Sequence, residues 1–344
     1  MSVQPLLNTS WTLHRLSPLQ HPEFQTLLGN QVALKTYANR LREQLIGNSV
    51  TGAYIGTTPL AAAADEEALS KTGALKACTW EPIDIPDEDG QSSISGISIV
   101  LEYENAVYKA ALLAGRDGQG SRGDNATTAL PLLLTRLPNA LRQTVTTFLS
   151  ATFDVYCALL RLPPYFLCTG LERYLHNLTG GSSGPVMDPS SDPRFILEDV
   201  VKEMQLTLSF SQPIAPSLKS LNVNVPRESF SQFVLPSTNA PAASKTPFLT
   251  SLGTYLETHL AMKLDLDDLS GQKTLAHQYI RLSKVACSAF VLGTEGRLKL
   301  VANLAEDDDD EAALSQKNLR VLSACKELLQ AIIDRAAAGE HATT

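Results

Sequence analysis

Apolar positions along this chain switch between two periods, and the switches mark its elements. From Thr246 the spacing is helical. Thr246 can cap the segment, Pro247 suits a first turn, and Phe248, Leu252, Tyr255 and Leu256 fall on one face. Near His259 the period drops to two. Leu260, Met262, Leu264 and Leu266 alternate with Ala261, Lys263 and Asp265, which predicts a strand with one buried face. Two more extended runs, 279–292 and 297–304, flank Gly293-Thr294-Glu295-Gly296, a glycine-bracketed loop that predicts a hairpin. Helix, strand and hairpin in succession predict an antiparallel sheet with a helix laid on it.

The same patterns recur upstream. The stretch 10–19 reads as a strand stopped by Pro18. Leu34, Tyr37, Ala38, Leu41 and Leu45 form a helical stripe that Gly47 is expected to close. Strands are expected near Ala53 and over 74–80, an acidic loop over 82–91, and a hairpin from Ile97–Tyr103 into 107–114. After an apolar run at 130–134, a helix from Pro138 is expected to reach Tyr156, and a second carries Phe166 to Leu175. Gly, Ser, Pro and Asp then dominate 180–193, which predicts a linker (181–193) between domains 1–180 and 194–344. Within 195–210, Met204, Leu206, Leu208 and Phe210 alternate, and Leu221, Val223 and Val225 mark the next strand. A short helix follows Pro226, and a final helix is expected to bury Leu319, Leu322, Leu329 and Ile332. The fold class is therefore α+β, two domains of mostly antiparallel sheet with helices packed on them.

Composition changes this picture little. Hydrophobic residues make up 44% of the 344 and charged residues 19%, ordinary values for a folded soluble chain. Five widely spaced cysteines contain no Cys-x-x-Cys pair, which speaks against a zinc or redox motif and for reduced thiols. The first eleven residues predict no secretory signal, and no apolar run approaches the ~20 residues that span a bilayer. A net charge of −8 argues against a surface that is basic throughout. The charge is uneven, however. Six acids form the run Glu306 to Glu311, whereas Lys273, Arg281, Lys284, Arg297 and Lys299 face a single acid between 273 and 299.

Candidate chemistry is thin. Gly118 to Gly123 matches Gly-x-Gly-x-x-Gly after a strand, but no amphipathic helix follows and Pro131 comes soon after, so a polar hairpin loop fits better. In the stretch Asp84 to Gly90, Ile85 takes the first-ligand position of a calcium loop and Gly96 stands where its bidentate Glu belongs, so it is no such loop. The acidic run reads as a solvated loop. Six scattered histidines form no metal-binding pair, and His14 and His259, each placed on a strand, read as structural. No nucleophile elbow or phosphate-binding loop is present. No cofactor is expected. An enzyme or small-ligand protein with a site between the two domains is the rival class.

Four fragments occur in an order that resembles a known family. They are Trp11-Thr12-Leu13 with Ser17-Pro18-Leu19, the run 130–135, Thr152-Phe153-Asp154, and the basic strand and turn Gly293 to Lys299. Together they resemble the centromere protein L family in its fungal form, a subunit of the inner kinetochore. The resemblance implies a non-enzymatic α+β protein of the nucleus and centromere that pairs with a centromere protein N family subunit among other inner-kinetochore subunits. It also implies chromatin carrying the centromeric histone variant, a shared sheet built from C-terminal strands of both partners, and a homodimer when the partner is missing. In that setting Arg297, Lys299 and Val301, on a final strand expected at an open sheet edge, are the candidate partner-binding residues. Lys273, Arg281 and Lys284, with Lys35, Arg40 and Arg42 on the first helix, are the candidates to face DNA. A charged edge that merely discourages aggregation is the competing reading of the basic group.

Overall fold

The computed structural model describes residues 4–24, 26–51, 71–85, 94–115, 127–179, 193–210, 218–234, 247–260, 280–302 and 311–338. The expected strand at 262–266, the loop at 118–123, Lys273, most of the linker and residues 306–310 of the acidic run lie outside them. The chain divides into two compact units.

The first unit takes in Met1–Pro5, Trp11–Leu160 and Ile332–Thr344. Its elements are β1 (Thr9–Leu16, the first two residues counted with the second unit), β2 (Leu19–Gln20), α1 (Gln31–Thr51), β3 (Leu75–Ile85), β4 (Ile94–Tyr103), β5 (Val107–Leu113), β6 (Thr127–Thr128), β7 (Leu132–Arg136), α2 (Asn139–Phe153) and β8 (Cys157–Leu159). The antiparallel sheet runs β1-β7-β5-β4-β3, and β8 adds to β1. The predicted hairpin is β4–β5, with Gly96 opposite Leu113 and Glu102 opposite Val107. The stripe Leu34, Tyr37, Ala38, Leu41 and Leu45 is buried. Tyr37 and Phe153 pack with ring centroids 4.6 Å apart, and Trp80 packs against Phe148 at 6.2 Å.

Three expectations here need correction. Gly47 does not close α1, which continues to Thr51, since the backbone at Gly47 stays out of the left-handed region that ends helices. Residues 82–85 belong to a strand, not a loop. Pro82 is tolerated there because, among the described residues, β3 pairs only with β4, so an absent N–H on the outer side costs no ladder bond. Helix α2 stops at Phe153, where Asp154 takes the left-handed conformation (φ 48°), and Tyr156 lies exposed beyond it.

The second unit comprises Leu6–Ser10 and Arg161–Ala331. It contains α3 (Pro164–Leu178), α4 (Pro193–Val201), β9 (Met204–Phe210), β10 (Ser220–Val225), α5 (Arg227–Val234), α6 (Pro247–Leu260), β11 (Ile280–Cys287), β12 (Phe290–Gly293), β13 (Arg297–Leu300) and most of α7 (Glu311–Ala337). The strands run β10-β9-β11-β12-β13, antiparallel throughout. The division between units falls after Leu160, not within 180–193, so α3 belongs with this sheet. Tyr174 on α3 packs on Phe290 with centroids 4.7 Å apart.

Glu172 on α3 is buried, and its Oε1 accepts the Leu249 N–H (2.8 Å) in the first turn of α6. A carboxylate there satisfies a helix N–H that has no intrahelical partner and complements the positive end of the helix. Helix α6 runs on to Leu260, with Leu256 buried on its stripe, so His259 is helical and not on a strand. Helix α4, not read from the sequence, occupies 193–201, and Lys202 (φ 54°) turns the chain into β9. The run 279–292 is two strands, broken at Ser288 and Ala289. On α7 the buried stripe is Val321, Ala324, Cys325, Leu328, Leu329, Ile332 and Ile333. Leu319, expected in that stripe, is 48% exposed.

Candidate partner and nucleic-acid interface

The sheet of the second unit has one buried and one open face, and alternation decides which residues take each. Met204, Leu206 and Leu208 of β9 are buried, while Gln205, Thr207 and Ser209 point the other way. On β13, Leu298 and Leu300 are buried, Arg297 is exposed and Lys299 is half-buried. Ala302, in the same phase, is buried, and Val301 is half-buried beside Lys299, as the alternation predicts. On β11 strict alternation would put Leu282 and Lys284 on the same face. The register shifts between them, leaving Ser283 as a bulge. Leu282 and Val285 thus both reach the core, and Arg281 and Lys284 both reach the open face.

Register then assembles three rows across this face. Ser220, Ser209 and Arg281 form one. Asn222, Thr207, Lys284, Gly293 and Arg297 form the second. Asn224, Gln205, Ala286, Val291 and Lys299 form the third. Four cations therefore share one face with hydroxyls, amides and small apolar residues, and no carboxylate stands in these rows. Gly293 separates Lys284 from Arg297. At a strand spacing of ~4.8 Å the two cations are anchored roughly 10 Å apart, with no side chain between them. At the other end of the row the amides are braced. Thr207 Oγ1 donates to Asn222 Oδ1 (2.9 Å), and Gln205 Nε2 donates to Asn224 Oδ1 (3.3 Å).

The fold brings Arg281, Lys284, Arg297 and Lys299, all named as candidates from the sequence, together on one face. It does not place β13 at an edge. On its far side, Asn8 donates its N–H to Leu300 O (2.7 Å) and its Nδ2 to Ala302 O (3.2 Å). Val301 N–H is also engaged, donating to Ala289 O (2.7 Å). A partner strand cannot add beside Arg297 and Lys299, because the backbone groups it would use are taken. Among the described residues the free edge of this sheet is β10, which pairs there with β9 alone. Its residues Ser220, Asn222 and Asn224 are exposed, and Leu218 just ahead is 45% exposed. No sequence signal distinguished this edge, since which strand lacks a second neighbour is a property of the whole topology.

Lys35, Arg40 and Arg42 lie in the first unit, all exposed on α1. Arg40 is already engaged: its guanidinium donates to both carboxylate oxygens of Glu23 (3.1 and 2.8 Å) and stands 5.5 Å from the Tyr37 ring centroid. That leaves Lys35 and Arg42 as the weaker basic group.

The thiols are unlike nucleophiles. All five cysteines are free. Burial pushes Cys78 and Cys325 up to about 12 and Cys157 and Cys287 up to about 11, which keeps each protonated near neutrality. His14, expected to be structural, is buried on β1. Burial, reinforced by the Arg142 guanidinium, lowers its pKa to about 4. Among the described residues no three His, Cys, Asp or Glu side chains group as metal ligands, and no helix is long and apolar enough to cross a membrane.

Comparison with known proteins gives one family. The family model of Centromere protein L (CENP-L) matches residues 5–337, nearly the whole chain. No curated protein matches it.

Proposed function

Because the chain belongs to the centromere protein L family, a kinetochore family, we propose that it is a non-enzymatic structural subunit that pairs with a centromere protein N family subunit on centromeric chromatin. The observation that carries this reading is the open face of the second unit's sheet. A row-by-row array of four cations without a carboxylate suits the regularly spaced charge of a DNA backbone. Arg281, Lys284, Arg297 and Lys299 hold phosphate, and the Asn and Gln side chains of β9 and β10 donate to it.

Partner binding falls to β10. An edge strand offers alternate N–H and C=O groups with no ladder partner, and a strand of the second subunit satisfies them by extending the sheet. Without that subunit the same edge is open to a second copy of this chain. The protein then works at the centromere within the nucleus, beside other inner-kinetochore subunits.

Two proline variants test the edge. Consecutive residues of a strand send their N–H groups in opposite directions, so of Asn222→Pro and Val223→Pro one removes an outward donor and the other a β9 bond. The outward variant is expected to keep the wild-type melting temperature and to lose the centromere protein N subunit in co-expression pull-downs. Retention of the partner by both variants, each folded, would remove β10 from the interface.

A further inference from the structure

We infer that Arg320 is a receptor for an oxyanion that the described residues do not supply. Arg320 stands on α7 and is only 3% exposed. Its Nε, Nη1 and Nη2 are all withdrawn from solvent, and none has a hydrogen-bond partner. A guanidinium stays charged at any physiological pH and carries five N–H donors in a planar fork. Burying such a group without a counter-charge is strongly unfavourable, and folded chains rarely do so unless something outside completes the pair.

The described residues around it offer no internal answer. One turn earlier on α7, Lys317 pairs with Asp199 of α4, so that carboxylate is taken. Helices α3 and α7 pack antiparallel, with Gly170 against Leu328 and the Tyr174 hydroxyl beside Cys325. By the helical rise this directs Arg320 toward the C-terminal end of α3, about 7 Å beyond the Tyr174 level. That end is already capped, because Thr179 N–H and Oγ1 both take the Leu175 carbonyl and Oγ1 also takes that of His176. None of its carbonyls is bonded to the guanidinium.

Access is short. Leu319, the preceding residue, is 48% exposed, so the surface of α7 meets solvent one residue away. A flexible apolar stem lets the Arg320 head turn outward while its methylenes stay buried. What it then presents is a forked donor set, which two oxygens of a carboxylate or a phosphate fit equally well. The ligand class is therefore an oxyanion, and its source is decided by experiment.

Thermal unfolding of the full chain is measured in chloride, acetate and inorganic phosphate at equal ionic strength and pH, for wild type, Arg320→Met and Arg320→Lys. The expected result is a melting temperature several degrees higher in one oxyanion than in chloride for wild type. Arg320→Met should match or exceed wild type in chloride, because it removes an unpaired charge, and should show no response to either oxyanion. Arg320→Lys should keep part of the response. A response to acetate assigns the site to a carboxylate, and a larger response to phosphate assigns it to a phosphate group. Three results would overturn the proposal: equal wild-type melting in all three salts, an Arg320→Met response equal to wild type, or a large loss of stability in Arg320→Met and Arg320→Lys in chloride. The last would mean that the guanidinium is already paired.

Discussion

Neutralising two cations on the open face should halve the salt dependence of DNA binding. Lys284 and Arg297 flank Gly293 in one row, and Arg281 and Lys299 lie in the rows on either side. Each cation that meets a phosphate releases condensed counterions, so four contacts give a slope of about −3.6 in log affinity against log salt. Between 50 and 200 mM salt this amounts to a loss of about 150-fold. With Lys284→Gln and Arg297→Gln together, the slope should fall to about −1.8 and the loss over the same range to about 12-fold. Fluorescence anisotropy with a short labelled duplex, repeated at four salt concentrations and with two unrelated sequences, measures this directly. The two sequences should bind alike, since contacts to phosphate carry no sequence information. Lys35→Gln with Arg42→Gln on α1 should leave the slope nearly unchanged. A wild-type slope shallower than −1, or a slope that the α1 variant reduces and the sheet variant does not, would refute the assignment of this face to phosphate.

The remaining predictions concern stability. His14 is held neutral by burial, with a folded pKa of about 4 against 6.5 unfolded, so the unfolded chain takes up a proton first as pH drops. The stabilisation is complete above pH 6.5 and is lost as pH falls towards 4, by about 3 kcal/mol in all; urea midpoints across that window should decline more in wild type than in His14→Gln, and equal declines would contradict it. Glu172→Ala leaves the Leu249 N–H without its acceptor at the start of α6 and should cost about 1–3 kcal/mol, read as a lower urea midpoint, with Glu172→Gln recovering part of it. Val301→Pro removes the donor to Ala289 O and should lower the melting temperature; an unchanged value would mean that this bond contributes nothing.

How far the sequence reveals this fold depends on the range over which each signal acts. Local periods place the buried stripe of α1, the β4–β5 hairpin, β9 and the helix after Pro226 where they lie, because burial of one face sets the spacing. Where the signal is weaker the reading slips. The chain turns at Ser288 and Ala289 without glycine or proline, so β11 and β12 read as one run. Helix α4 is nine residues long and runs directly into a strand, which hides its period. Position within the sheet is the least legible property. β13 is enclosed because Asn8 reaches Ala302 across 294 residues, and no pattern near Arg297 carries that information. The cations are legible as charges on alternating positions. Their meeting on one face depends on the Ser283 bulge, which a strict period of two would miss.

The central claim, that this subunit joins its partner through the free edge of β10, is tested most directly by hydrogen exchange. The chain is labelled alone and in complex with a centromere protein N family subunit, and amide protection is compared segment by segment. In the free chain the outward-facing amides of Ser220–Val225 should exchange fast, because β9 satisfies only the inner ones. Binding should slow them strongly while β13, enclosed already, changes little. Protection that rises elsewhere while β10 exchanges as in the free chain would contradict the account.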